Sequence, residues 1–345
     1  MNEFVKRRER HKAQQLWLLL AIFALAALLR IGLSGQQCLW ADEVFSLAVA
    51  TGHSLEHSVT VADPARGDFV EPDRPLPAEE FRRYLKHESP LASPARVVRA
   101  VLLSDTSPPL YYLLLYGWTI VFGTSDIALR LFSATIALAC FPLLAAIARR
   151  TAGKRAVLPT CVLFALSPLA IYYSMEVRMY SLLWLCVLTT TWASLMLTQR
   201  GGKVGLYALW ILASAAGFLT HYFFIFPWLA IVALLVIRPA KLTWLGLVSC
   251  VLLTAIILLP WYIRVPESLD SWRITQGWLN WRPTHFDRLT AFLKLVLQPF
   301  SGQEQHLWPG NRTSSIGALL LFALVFVAMV WRLRLRLFAW RAVLQ

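Results

Sequence analysis

Residues 16–33 read LWLLLAIFALAALLRIGL, an apolar run of eighteen positions in which Arg30 carries the single charge. A run of this length and polarity is typical of a transmembrane helix. The basic residues before it are Lys6, Arg7, Arg8, Arg10 and Lys12. A signal peptide also starts with basic residues, but the many apolar segments that follow favour a retained helix with a cytoplasmic N-terminus. Arg30, near the outer end, is expected to reach the lipid headgroups.

The composition excludes a soluble protein and a disordered one. Of 345 residues, 58% are hydrophobic and 15% are charged, whereas soluble domains average about 45–50% and about 25%. The net charge of +14 comes from basic residues clustered in short stretches between apolar runs. That pattern is typical of cytoplasmic membrane loops and argues against a nucleic-acid partner. The five cysteines show no C-x-x-C spacing, so they do not indicate a metal site.

The apolar runs predict an all-α polytopic membrane protein with about eight transmembrane helices and both termini cytoplasmic. After the first, the spans are expected at residues 127–148, 156–172, 180–197, 204–219, 223–237, 242–262 and 316–331. Residues 110–122 are too short to span and are expected to form an interfacial helix on the outer side. Nearly all acidic residues then fall outside, and the inner loops between spans carry basic residues and no acid.

This topology divides the chain into a membrane module and its flanking segments. The expected parts are a basic N-terminus at 1–15, a membrane module at 16–262, a second outer segment at 263–315, a last transmembrane helix at 316–331 and a basic cytoplasmic tail at 332–345. The module contains the first outer loop, 36–108. Residues 78–87 and 94–103 of that loop have apolar residues at helical spacing, which predicts amphipathic helices on the membrane surface.

Five polar features map to the outer side, and each also has an ordinary structural explanation. They are residues 40–43 with Asp42 and Glu43, residues 104–112 with Asp105, residues 167–180 with Glu176 and Arg178, residues 220–222 with His221, and residues 260–264 with Arg264. The acids could cap helices, Glu176 and Arg178 could form a local ion pair, and the aromatic and basic residues could form an interfacial belt. Because the topology does not depend on these features, their position on one side favours a single outer active site.

Four of the motifs, in this order, resemble the glycosyltransferase-C superfamily. They are WADE at 40–43, PPLYY at 108–112, SPLAIYYSMEVRMY at 167–180 and THY at 220–222. Over about residues 16–262, the chain is most similar to the bacterial branch related to protein O-mannosyltransferases and aminoarabinose transferases. The resemblance implies an inverting glycosyltransferase that moves a sugar from a polyprenyl-phosphate donor to an acceptor hydroxyl on the extracytoplasmic face.

The resemblance also implies roles for individual residues. Asp42 falls on the position of the expected general base, Glu43 lies beside it, and Asp105 falls close to a second acidic position of the same loop. The expected donor phosphate or sugar contacts are Glu176, Arg178, Tyr180, His221, Tyr222 and Arg264. Relatives often carry a basic residue before the Pro-Pro pair, where this chain has Ser107. Arg178 is therefore the first candidate for the contact with the leaving phosphate, and Arg264 is the second candidate.

These expectations include partners, location and alternatives. The partners are a polyprenyl-phosphate-linked sugar, the lipid bilayer and an acceptor that is a protein, a lipid or a polysaccharide, and the expected location is the bacterial inner membrane. No cofactor is required, although a divalent metal between Asp42 and Asp105 stays open. The main alternative is a transporter or flippase for a lipid-linked saccharide, which would show inverted repeats and polar groups reachable from both faces. A membrane scaffold whose outer loop docks a partner is a further one.

Overall fold

The computed structural model describes residues 2–57, 61–104, 107–266, 284 and 287, and within them the regular structure is helical. The α-helices are α1 (Asn2–Leu33), α2 (Ala41–Ala50), α3 (Ala78–Arg82), α4 (Pro94–Ser104), α5 (Leu110–Phe122), α6 (Asp126–Thr151), α7 (Lys154–Leu166), α8 (Pro168–Met175), α9 (Tyr180–Arg200), α10 (Val204–Phe218), α11 (Ile225–Ile237) and α12 (Trp244–Tyr262). Short 3₁₀ turns cover Pro64–Arg66, Arg83–Leu85 and Tyr222–Phe224. The described residues belong to two compact units: residues 166–172, 284 and 287 fall in one, and all the other described residues fall in the other.

Within the described residues, four helices are long and apolar enough to cross a membrane, and α7 with α8 would make a fifth if the pair is one broken span. The four are Ala13–Leu33, Asp126–Thr151, Tyr180–Arg200 and Trp244–Tyr262, each at a predicted span. The predicted spans at 204–219 and 223–237 form the shorter apolar helices α10 and α11. The prediction at 316–331 lies outside the described residues, so the count of about eight is not confirmed.

Helix α6 shows how the sequence sets the ends of a membrane helix. Ser125 caps its N-terminus, where the side-chain oxygen accepts a hydrogen bond from the Ala128 amide at 3.4 Å. Arg149 and Arg150 lie in its last turn, where positive charge complements the unpaired carbonyl groups. Gly153 follows with a φ of +86°, a left-handed conformation that suits glycine and lets α7 begin at once.

Small residues bring α9 and α10 close together. Trp210 of α10 is fully buried, and its indole nitrogen donates to the Ser194 hydroxyl of α9 at 2.8 Å. Gly217 faces the Phe224 ring so closely that a β-carbon there would overlap it. Helices in lipid associate through close approach at small residues and through hydroxyl hydrogen bonds, because burial of apolar surface gives little driving force for association there.

Arg30 does not reach the headgroups as predicted. It is fully buried, and its Nε donates to the Ser174 hydroxyl at 2.9 Å. Its Nη2 donates to the Phe164 carbonyl at 3.0 Å, near the C-terminal end of α7, and the guanidinium lies over the Phe164 ring. The prediction was wrong because the partially negative end of a neighbouring helix supplies the acceptors that water or headgroups would otherwise give.

The first outer loop has its own buried polar network. Asp68 is almost fully buried and accepts two hydrogen bonds from Arg99, at 2.7 and 2.6 Å. Helices form at both predicted amphipathic stretches, as α3 and α4. The buried face of α4, with Val97 and Val101, packs against α2 and α5. That face is therefore covered by protein, and it does not lie on the membrane surface as predicted.

Candidate active site

The site is built at the start of α2, where Trp40 precedes Asp42 and Glu43. The Glu43 carboxylate turns back and its Oε2 accepts a hydrogen bond from the Trp40 amide at 3.1 Å. This local bond caps the helix and sends the two acids in different directions. Asp42 stays half-buried, whereas Glu43 is only 1% exposed.

Glu43 joins three segments that are far apart in sequence. Its Oε2 accepts from Arg130 Nη2 of α6 at 2.9 Å, and its Oε1 accepts from the Val177 amide at 2.9 Å. The same Arg130 nitrogen also donates to the Cys38 carbonyl at 2.9 Å. Both charged side chains are buried, so the pair is stable only because each side chain neutralises the charge of the other. Glu43 therefore holds the turn at 176–179 against the beginning of α2.

Arg178 reaches from that turn across to α2 and α5. Its Nη1 donates to the Ser46 hydroxyl at 3.2 Å and to the Tyr112 hydroxyl at 3.4 Å, with the Asp42 carbonyl at 3.5 Å. These distances are long for hydrogen bonds from a cation. The predicted base and the predicted phosphate contact are thus neighbours in the structure.

Glu176 lies on the other side of the same turn and is 5% exposed. The Trp40 side chain donates a hydrogen bond to it, while its Oε2 is buried with no hydrogen-bond partner among the described residues. Burial, together with the negative charge of Glu43, raises the pKa of Glu176 from 4.5 to about 7, and Arg178 partly opposes that shift. Glu176 can therefore hold a proton near neutral pH and donate it in a hydrogen bond.

Aromatic residues border the cluster. The centroids of the Tyr180 and His221 rings lie 6.5 Å apart. Tyr180 also interacts electrostatically with Glu176 and Arg178. His221 Nδ1 accepts from the Phe223 amide at 3.0 Å, which leaves the proton of the neutral ring on Nε2. Tyr222 packs edge-on against Tyr262. Flat rings with hydroxyl and N–H groups at their edges suit contact with a sugar.

The prediction also named Arg264 and Asp105. Arg264 is exposed, and no side-chain contact links it to Asp42 or Arg178 among the described residues. Asp105 lies outside the described residues. The described ranges contain no group of three or more His, Cys, Asp or Glu side chains that could hold a metal ion.

The prediction missed the supporting residues Arg130, Ser46 and Tyr112. Arg130 was detectable, because an ionisable residue in the second turn of a membrane helix usually has a function or a charged partner. Its partner was not, because 87 residues separate it from Glu43. Tyr112 is the last residue of the PPLYY motif but was given no role of its own, and Ser46 carried no signal beyond its position after the first motif.

Comparison with known protein families places one match on this region. Residues 106–263 match the model of a family described as dolichyl-phosphate-mannose-protein mannosyltransferase. The comparison with curated proteins finds no match. The matched stretch is just under half of the chain; it contains Arg130, Glu176 and Arg178 and begins after Asp42 and Glu43. Together with the apolar helices, this match supports a membrane glycosyltransferase of the glycosyltransferase-C type.

Proposed function

We propose that the protein is an inverting glycosyltransferase that moves a sugar from a polyprenyl phosphate to an acceptor hydroxyl. The reaction takes place at the extracytoplasmic face of a bacterial inner membrane. The observation that carries this proposal is the meeting of the half-buried Asp42, the cation Arg178 and the buried Glu176 in one cluster. A base, a phosphate contact and a sugar contact are the three groups that such a transfer requires.

Asp42 acts as the general base. As the acceptor oxygen attacks the anomeric carbon, the acceptor proton passes to the Asp42 carboxylate. The bond between that carbon and the phosphate oxygen breaks with its electron pair on the oxygen, so polyprenyl phosphate leaves. Attack opposite the leaving group inverts the anomeric centre and forms no covalent sugar intermediate. Asp105 is proposed as a second acid of the same loop.

Arg178 stabilises the departing phosphate. Its acceptors include the neutral hydroxyls of Ser46 and Tyr112, and a phosphate oxygen would compete with these because hydrogen bonds between ions are shorter and stronger. Arg264 is the proposed second contact and is expected to contribute less, because it lies exposed. Since phosphate is already a good leaving group, a cation matters more here than a dedicated acid.

Glu176, Tyr180, His221 and Tyr222 bind the donor sugar in this proposal. Glu43 and Arg130 hold the base and the phosphate contact at their spacing without touching substrate. The support for these roles is geometric: the Val177 amide, bonded to Glu43, lies directly between Glu176 and Arg178 in sequence. A shift of Glu43 would therefore move both groups.

The deciding experiment uses the purified full-length protein with a panel of radiolabelled polyprenyl-phosphate sugars and membrane extract as the acceptor source. We expect free polyprenyl phosphate to form in proportion to labelled product, with the product anomer opposite to that of the donor. Movement of intact donor between leaflets without release of polyprenyl phosphate would contradict the proposal and support the flippase alternative.

A further inference from the structure

A second concave site lies at the opposite end of the helices that support the Asp42 cluster. A cavity of about 1030 Å³ opens between α1, α6 and α7. Its lining comes from α1 around residue 16, from the end of α6 around residue 149 and from the beginning of α7 around residue 155. On α6, nineteen residues separate Arg130, in the Asp42 cluster, from Arg149 at the cavity, a rise of about 28 Å. That is close to the roughly 30 Å thickness of a bilayer's hydrocarbon core. The cavity and the cluster therefore lie about one membrane thickness apart.

The cavity combines apolar walls with a basic rim. Leu16 and Leu19 of α1 form one wall, Ala145 and Ala146 of α6 form another, and Val157 and Leu158 of α7 form the third. The alanines keep the cavity wide, because their side chains are short. Walls of this kind suit hydrocarbon chains.

The rim carries four exposed cations within seven residues: Arg149, Arg150, Lys154 and Arg155. They converge because Gly153, with its φ of +86°, reverses the chain between α6 and α7. Among the described residues none of the four pairs with a carboxylate, and Arg150 donates to the side-chain oxygen of Gln199 at 3.0 Å. The rim is thus positively charged and has room for an anion.

We propose that this cavity binds an anionic membrane phospholipid, with its phosphate at the four cations and its acyl chains along the three apolar walls. Arginine is suited to phosphate because its guanidinium can donate two parallel hydrogen bonds to one group. Charge complementarity decides the occupant: an anionic headgroup is attracted by every cation of the rim, whereas a zwitterionic lipid carries a compensating positive charge. A free phosphate ion would leave the walls uncovered.

The test is native mass spectrometry of the full-length protein, delipidated in detergent, with added palmitoyl-oleoyl phosphatidylglycerol or phosphatidylcholine of the same chains. We expect phosphatidylglycerol to bind at least about tenfold more tightly. Changing Arg149, Arg150, Lys154 and Arg155 together to glutamine should reduce that preference about tenfold or more. The matched control, with Arg200, Lys203, Arg238 and Lys241 changed to glutamine, removes four exposed basic residues from other loops and should keep the preference.

A second variant separates a lipid cavity from a simple charged surface. Ala145→Phe places a phenyl ring between the apolar walls, where it blocks part of the path of the acyl chains, and keeps all four cations, so it should weaken phosphatidylglycerol binding to a similar degree. Unchanged binding in Ala145→Phe, equal loss in the control variant, or full competition by millimolar inorganic phosphate would each overturn the proposal. Retained helicity in circular dichroism and a single peak in size-exclusion chromatography show which variants are folded. If the four-residue variant is not folded, the binding measured for Ala145→Phe decides the test.

Discussion

Arg178 and Asp42 meet through the protein backbone, with Nη1 of the arginine 3.5 Å from the Asp42 carbonyl oxygen. The contact orients the guanidinium toward α2 and leaves the Asp42 carboxylate available for another proton donor. Because both residues flank groups that Glu43 fixes, their spacing is a property of the folded chain and does not depend on bound substrate.

Asp42→Asn is expected to abolish sugar transfer while the protein remains folded in detergent. The amide keeps the size of the side chain but accepts no proton at neutral pH, so the loss should be about 10²–10⁴-fold in kcat. Turnover of labelled donor by purified protein measures it. Asp73→Asn, an exposed acid of the same loop, is the matched control and should retain activity. Turnover at the wild-type rate in Asp42→Asn would remove Asp42 from the base role.

Arg178→Ala is expected to weaken donor binding and slow transfer, by about a hundredfold in kcat/KM, because the developing phosphate charge loses its cation. Arg178→Lys should recover part of the rate, since it restores charge without the planar fork. Arg82→Ala removes an exposed arginine of the outer loop and serves as the control. If donor KM and kcat are both unchanged in Arg178→Ala, the residue has only a structural role.

Glu43→Ala is expected to destabilise the protein by about 3–5 kcal/mol, because it leaves the Arg130 charge buried and unpaired. The measurement is the thermal unfolding midpoint in detergent. The double variant Glu43→Leu with Arg130→Met should recover most of the stability, since it removes both charges together. Equal midpoints for wild type and Glu43→Ala would show that the pair does not hold the fold.

Glu176 should make stability depend on pH. Its pKa is raised from 4.5 to about 7 in the folded protein, so its contribution is full below pH 4.5 and is lost as the pH rises through 7. The affected window is therefore about pH 4.5 to 7, with lower stability on the alkaline side. Glu176→Gln stays neutral and should reduce this dependence. The thermal midpoint of each protein at pH 5 and pH 8 gives the comparison, and an equal decrease in both proteins would contradict the assignment.

Periodicity and motif order predicted the parts of the fold that depend on local chemistry. Helix α5 covers Leu110–Phe122, as its apolar run indicated. Asp42, Glu176 and Arg178 are neighbours in the structure, while their roles in catalysis and donor binding stay predictions. Arg30 was predicted incorrectly because its acceptors come from Phe164 and Ser174, which lie more than 130 residues away. Whether such an arginine binds lipid headgroups or a distant carbonyl depends on how the helices pack together. The local sequence does not contain that information.

The same limit applies to Glu43. Its neighbours in sequence suggested catalysis or capping, and only the fold brings the Arg130 guanidinium and the Val177 amide to its two oxygens. Helix α10, in contrast, ends within one residue of its predicted span at 204–219, because the apolar run itself sets its length.

The three-way bond at Glu43 has a consequence for anyone who wishes to express a shortened protein. A recombinant fragment limited to the family-matched stretch, 106–263, would retain Arg130 and Val177 but lose the carboxylate that both of them bind. The Arg130 guanidinium would then lack its carboxylate partner, and the Val177 amide would lack its hydrogen-bond acceptor. A separate polypeptide that contains Glu43 would have to be supplied to restore both bonds.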